Sequence, residues 1–121
     1  MITAVHTLVY ADDAEKARAF FRDVLEWPHV DVGGGWLIFK TGPSELGVHP
    51  TGGGKPHHAI SLMCDDIEAT LDDLRAKGAV VTEDIVDAGF GRTAMIAIPG
   101  GAGDMQIYQP RHPSAFDLAT S

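Results

Sequence analysis

The sequence predicts an α+β domain built from two tandem βαβββ units. Residues 6–15 (HTLVYADDAE) read as a strand that runs into paired aspartates, and residues 58–68 (HAISLMCDDIE) repeat the pattern. Placing the first aspartate pair on the second without a gap also aligns three further pairs: Glu15 with Glu68, Phe21 with Leu74, and Arg22 with Arg75. Self-similarity at a spacing of about fifty residues is typical of a duplicated supersecondary unit.

The first unit is predicted over residues 1–50. Residues 4–10 have the β-branched and apolar content of a strand. Asp12 or Asp13 then caps a helix, with Glu15 in its first turn. Pro28 is expected to end the helix near Glu26. The apolar residues that recur at helical spacing are Ala17, Phe20, Phe21, Val24 and Leu25. Three short strands are expected at residues 29–32, 36–40 and 45–49, separated by glycine turns.

The second unit, residues 58–110, follows a glycine-rich linker at residues 51–57. A strand is expected at 58–64, then a helix that carries Ile67, Leu71 and Leu74 on one face and ends at Gly78. The remaining strands are predicted at 79–86, 92–98 and 105–109. Residues 111–121 lack periodicity and are expected to form a loosely attached tail.

Composition limits the function classes. The 121 residues are enough for a single domain with its own core. The net charge of −8 argues against nucleic acid or an anionic membrane as a partner. Cys64 is the sole cysteine, which excludes an internal disulfide and favours the reducing cytoplasm. The sequence has neither an apolar run long enough to span a membrane nor the pattern of a signal peptide.

Three motifs resemble the vicinal oxygen chelate superfamily, which includes glyoxalases, bleomycin-resistance proteins and extradiol dioxygenases. They are HTLVYADD (residues 6–13), HAISLMCDD (58–66) and PGGAGDMQIY (99–108). The resemblance implies a glyoxalase-like fold, in which curved mixed sheets of the two units enclose a trough for a small molecule. It also implies a homodimer.

In enzymes of that superfamily, a histidine on each unit's first strand and a carboxylate on a last strand hold a divalent metal. The matching histidines here are His6 and His58, although His6 lies six residues before its first aspartate and His58 seven. The carboxylate position falls nearest Gly47 in the first unit and Gln106 in the second. A different strand register would instead turn His49 and Gln109 inward. The candidates for the trough lining are Trp36, His49 and Tyr108.

Two functions follow from these residues. The first is a protein that binds a small molecule in the trough and whose metal site, with Gln106 in place of a carboxylate, is degenerate. The alternative is a lyase, isomerase or dioxygenase that uses nickel, zinc, manganese or iron on a small oxygen-rich substrate. The metal would be held by His6, His58 and Gln106, with His49 as the alternative ligand. The paired histidines favour the enzyme, and the missing carboxylates favour the binding protein.

Overall fold

The computed structural model describes residues 6–48 and 50–118. Two helices, α1 (Ala14–Asp23) and α2 (Ile67–Ala76), pack against β-structure, so the fold class is α+β as predicted. The described strands are β1 (His29–Asp31), β2 (Leu37–Phe39), β3 (Ser61–Met63), β4 (Val81–Asp87), β5 (Gly91–Ala97) and β6 (Asp104–Pro110). A short 3₁₀ turn at Ala115–Asp117 ends the described chain.

The strands form two sheets. β1 and β2 make an antiparallel hairpin, whereas the larger sheet has the order β3-β6-β5-β4. In this mixed sheet β3 runs parallel to β6, and the other two pairings are antiparallel. The second unit therefore shows the predicted strand–helix–three-strand order. The division of the chain at residues 51–57 stays a prediction.

The core lies between the two helices and one face of the larger sheet. Every residue predicted for the helix stripes is either buried or packed against this core, and the strands supply the rest: Ala94, Ile96, Ile98, Met105 and Ile107. The side chains of Ile67, Leu71, Ile96 and Ile107 are fully buried. Burying such side chains contributes about 1.5–3 kcal/mol each, which makes this layer the main source of stability.

The helix boundaries agree with the capping pattern. Asp13 and Asp66 are the N-caps, and their carboxylates accept hydrogen bonds from the Lys16 and Ala69 backbone N–H groups at 3.1 Å each. Gly78, at φ +91°, follows α2 as expected. α1 ends at Asp23, earlier than the proline suggested, and Glu26 beyond it has a left-handed backbone, with φ +59°, that cannot continue the helix.

Two strand predictions in the first unit are wrong for the described residues. Residues 6–10 and 45–48 form no strand, so the described chain has six strands rather than eight. Neither segment has a neighbouring strand to pair with, and strand pairing rather than propensity decides such segments. Residues 4, 5 and 49 of these two predicted strands lie outside the described residues.

One turn of the second unit contacts the first helix directly. The Asp13 backbone N–H donates to the Gly100 carbonyl at 2.6 Å, which places the β5–β6 turn at the start of α1. A Cβ atom added at Gly100 would collide with the Asp13 carbonyl oxygen, and one at Gly101 with the Asp12 carboxylate. This approach requires glycine and fixes the β5–β6 turn against the start of α1.

We predict that Gly100→Ala destabilises the protein more than Gly103→Ala does. Both glycines have positive φ, +88° and +81°, but the space around Gly103 is open. Left-handed strain alone should lower the unfolding free energy by about 1–2 kcal/mol in Gly103→Ala. The collision with Asp13 should add about 1–3 kcal/mol in Gly100→Ala. Urea denaturation measures both, and equal losses would show that the turn does not rest on α1.

Candidate functional site

The sheet face opposite the helices carries the candidate site. Met105 and Ile107 of β6 are buried against the helices, so strand alternation turns Gln106 and Tyr108 to the other face. Gln106 lies beside Ser61 of β3 and Met95 of β5, which in turn pairs with Glu83 of β4. We call this surface the open face.

A second row of side chains crosses the open face beside the first. Tyr108 lies beside Met63 on one side and Thr93 on the other, and Thr93 pairs with Val86 of β4. All eight of these residues are partly covered or exposed, and none is buried, so the face is available to a ligand. Its mixture of an aromatic ring, two methionines and small polar groups suits an organic molecule.

The structure decides between the two registers considered for β6. The Ile67 backbone N–H at the start of α2 donates to Gln109 Oε1 at 2.8 Å, so Gln109 lies on the helix side. Gln106 lies on the open face, where its Nε2 donates to Ser61 Oγ at 3.1 Å. The alternative register, in which Gln109 would face the predicted trough, is therefore wrong.

The predicted metal ligands are placed as follows. His6 is exposed in a segment without strand structure, and His58 is exposed three residues before β3. β3 pairs with β6 at three consecutive positions without a bulge, so the extra residue after His58 is not absorbed within β3. His49 lies outside the described residues. Among those that are described, no three His, Cys, Asp or Glu side chains form a group that could hold a metal ion.

Two imidazoles and a neutral amide fit a divalent metal poorly. They lack the negative charge that carboxylates supply to a 2+ ion, and the Gln106 amide already bonds to Ser61. The ligand set of His6, His58 and Gln106 stays a prediction. No reaction step through a metal follows from these residues.

The first-unit candidate Trp36 lies beside α1 at the entrance to β2. The Arg18 guanidinium covers its ring at 4.6 Å from the ring centroid, a cation–π contact. A groove of about 410 Å³ beside it separates α1 from the hairpin and is lined mainly by charged side chains, among them Glu15, Lys16, Arg18, Arg22 and Asp31. This groove is distinct from the open face, and its mixed charges do not define a ligand.

Cys64 lies on the helix side of the sheet. It borders an apolar cavity of about 160 Å³ lined by residues such as Leu25, Trp27 and Leu74. Burial raises the pKa of its thiol, which disfavours the reactive thiolate. This environment suits an inert, partly buried cysteine.

The tail is attached to the β4–β5 turn, contrary to the expectation of a loose arm. Arg111 forms a bidentate ion pair with Asp87, with two N–O distances of 2.6 Å, and donates to the Gly89 carbonyl at 3.1 Å. The Arg111 hydrogen bonds hold the pKa of the Asp87 carboxyl well below its usual range. The residues after Arg111 therefore start from a fixed point at the β4–β5 turn.

A cluster at the tail end of the open face was missed from the sequence. Glu45 Oε2 accepts a hydrogen bond from the Ala115 backbone N–H at 2.9 Å, and His112 Nε2 lies 3.8 Å from Glu45 Oε1. The rings of Phe90, Tyr108 and His112 follow one another, with centroid separations of 5.9 and 5.7 Å. Burial and then the Glu45 charge raise the pKa of Tyr108. No local sequence signal connects Glu45 with residues about seventy positions away.

Comparison with known proteins identifies relatives of this chain. Residues 3–104 match the family model of the Glyoxalase/Bleomycin resistance protein/Dioxygenase superfamily. The anthracycline biosynthesis protein DauV of Streptomyces sp. (strain C5) is 33% identical over 119 residues, which cover 90% of this chain and 42% of that protein. The chain therefore spans less than half the length of this curated relative.

Solved structures show the same fold. TnmS3, an antibiotic binding protein from Streptomyces sp. CB03234, has a TM-score of 0.61 at 23% identity, over 90% of this chain and 99% of that one. Lactoylglutathione lyase from Agrobacterium tumefaciens has a TM-score of 0.58 at 20% identity, over 90% and 95%. No described helix of the present chain is long and apolar enough to cross a membrane.

Proposed function

The chain belongs to the Glyoxalase/Bleomycin resistance protein/Dioxygenase superfamily, and from this membership we propose that it binds a small organic molecule on the open face. The observation that carries the proposal is the placement of Gln106. The sequence resemblance puts Gln106 nearest the position of the metal-binding carboxylate in the superfamily's enzymes, and the residue is a neutral amide bonded to Ser61. We propose that the metal site is degenerate and that the surrounding face serves binding.

The relatives support a binding role. TnmS3 is an antibiotic binding protein, and DauV belongs to anthracycline biosynthesis. Anthracyclines are fused-ring aromatics, which suit the Tyr108 ring and the methionines beside it. We place this function in the cytoplasm, consistent with the single cysteine, and the acidic composition argues against nucleic acid as the ligand.

The binding proposal predicts that protein treated with a chelator still binds acridone, a neutral planar aromatic, as measured by its fluorescence. Met95→Lys should weaken binding by about tenfold, because it places a charge at the centre of the open face, equivalent to ~1.4 kcal/mol. Ala76→Lys, exposed on α2 on the other layer, should bind acridone like the unmodified protein. Equal binding by both variants would place the ligand elsewhere.

A metal-dependent enzyme is the second candidate, and the lactoylglutathione lyase likeness is the observation that favours it. It requires His6 and His58 to meet Gln106, with the extra residue after His58 taken up in residues 57–60. Nickel, zinc, manganese or iron would then complete the site. This arrangement would supply a Lewis acid for an oxygen-rich substrate.

The two candidates differ in metal affinity. We predict weak metal binding by the unmodified protein and tighter binding of nickel, zinc or manganese by Gln106→Glu, which supplies a negative charge. The gain should be about tenfold, or ~1.4 kcal/mol, in calorimetric titration. Adding His6→Ala should abolish it. Tight stoichiometric metal in the unmodified protein would instead establish the enzyme reading.

We also propose a homodimer, on the evidence of two apolar segments left open in the single chain. Tyr10 is 87% exposed, Leu46 82% and Val48 92%. They lie in residues 6–10 and 45–48, whose sequences favour strands that the single chain does not pair. A second copy could supply the missing strand neighbours and cover these side chains.

The dimer predicts a two-chain mass in sedimentation velocity at micromolar concentration. Leu46→Glu should shift the equilibrium to the monomer by more than tenfold in dissociation constant, because it places a charge in an apolar contact. Val80→Glu also places a charge at an exposed apolar residue, but outside both segments, and this variant should remain dimeric. A monomeric unmodified protein would contradict the proposal.

A further inference from the structure

Glu45 has the opposite orientation from its neighbours. Its side chain is 16% exposed, while Leu46 and Val48 project into solvent. It is the one residue of the described stretch 41–48 that is not fully exposed. A carboxylate turned inward beside outward apolar side chains is unfavourable unless the charge gains partners.

Among the described residues, only one oxygen of the Glu45 carboxylate has a hydrogen-bond donor. Oε2 accepts the Ala115 N–H, but Oε1 has His112 Nε2 at 3.8 Å, too far for a hydrogen bond. In the part of the chain that the structure describes, the His112 ring is the only basic group within 4.0 Å of the Glu45 carboxylate. One oxygen of a largely covered carboxylate therefore keeps the capacity to accept a strong donor.

The His112 ring, whose Nε2 is 3.8 Å from this oxygen, begins a row of aromatic rings. Tyr108 lies within reach of the Glu45 charge and between the rings of Phe90 and His112. The Phe90 ring is 60% exposed, so a flat molecule has access to the row. Aromatic faces attract cations, and a carboxylate attracts cations and repels anions, so both features favour a positively charged ligand. The net charge of −8 acts in the same direction at long range.

We propose that Glu45 and the rings of Phe90, Tyr108 and His112 form a subsite for an aromatic ligand that carries a cationic N–H group. The inference rests on the proposed function, since the subsite is the tail end of the open face. The aromatic part of the ligand stacks on a ring face of this row, and Glu45 Oε1 accepts a hydrogen bond from the cationic N–H group. The tail, held by Arg111, presents His112 and Ala115 to the same carboxylate.

The test compares two planar probes of similar shape: proflavine, which is cationic, and acridone, which is neutral. The unmodified protein should bind proflavine about tenfold more tightly, the effect of one charge-assisted hydrogen bond. Glu45→Gln should weaken proflavine binding about tenfold and so remove this preference. The glutamine oxygen can still accept the Ala115 N–H, so the tail contact is retained.

Asp72→Asn is the matched control, since it removes one negative charge from the exposed outer side of α2. It should keep the preference for proflavine, whereas Phe90→Leu should weaken both probes because it removes a stacking ring. Loss of the preference in Asp72→Asn, or its survival in Glu45→Gln, would overturn the subsite. Equal affinities for the two probes in the unmodified protein would also overturn it while leaving the proposed function intact. Failure of the unmodified protein to bind either probe would contradict both proposals.

Discussion

The packing of α2 on β5 and β6 is the constraint on which the rest of the structure depends. Ile67, Leu71, Ile96 and Ile107 exclude water completely, so α2 and the sheet have one favourable relative placement. A one-residue slip of β6 would expose Ile107 and bury Gln106. The same apolar contact that stabilises the fold therefore determines which polar side chains reach the open face.

Polar contacts at the edges of this core reinforce that register. Gln109 completes the hydrogen bonding at the start of α2 by accepting the Ile67 N–H. Arg92, also on the helix side, pairs with Glu68 at 2.9 Å. The ion pair is partly exposed and adds little energy, but it is consistent with the same strand orientation. Gln106 is left on the opposite face with Ser61 as its partner, which explains why a residue of β6 can serve ligand binding without weakening the core.

The chain before residue 51 and the chain after residue 57 meet through contacts that differ in chemistry. At one end, the glycine turn at Gly100 approaches the backbone of Asp13 closely enough to exclude any side chain. At the other end, Glu45 from the first unit receives the Ala115 N–H of the tail. The second contact carries an inward charge and exposed rings, so it combines attachment of the tail with a surface suited to a cationic aromatic. The first contact is purely structural.

The sequence by itself determined the α+β class, both helices, their aspartate caps and the face each helix buries. These features depend on interactions within three or four residues, so periodicity and capping predict them directly. It could not determine whether residues 6–10 and 45–48 form strands, because a strand needs a neighbour that the local sequence does not supply. The positions of Gln109 and Glu45 were also decided by tertiary structure. Their partners are 42 and 70 residues away along the chain, and only the packed core brings them together.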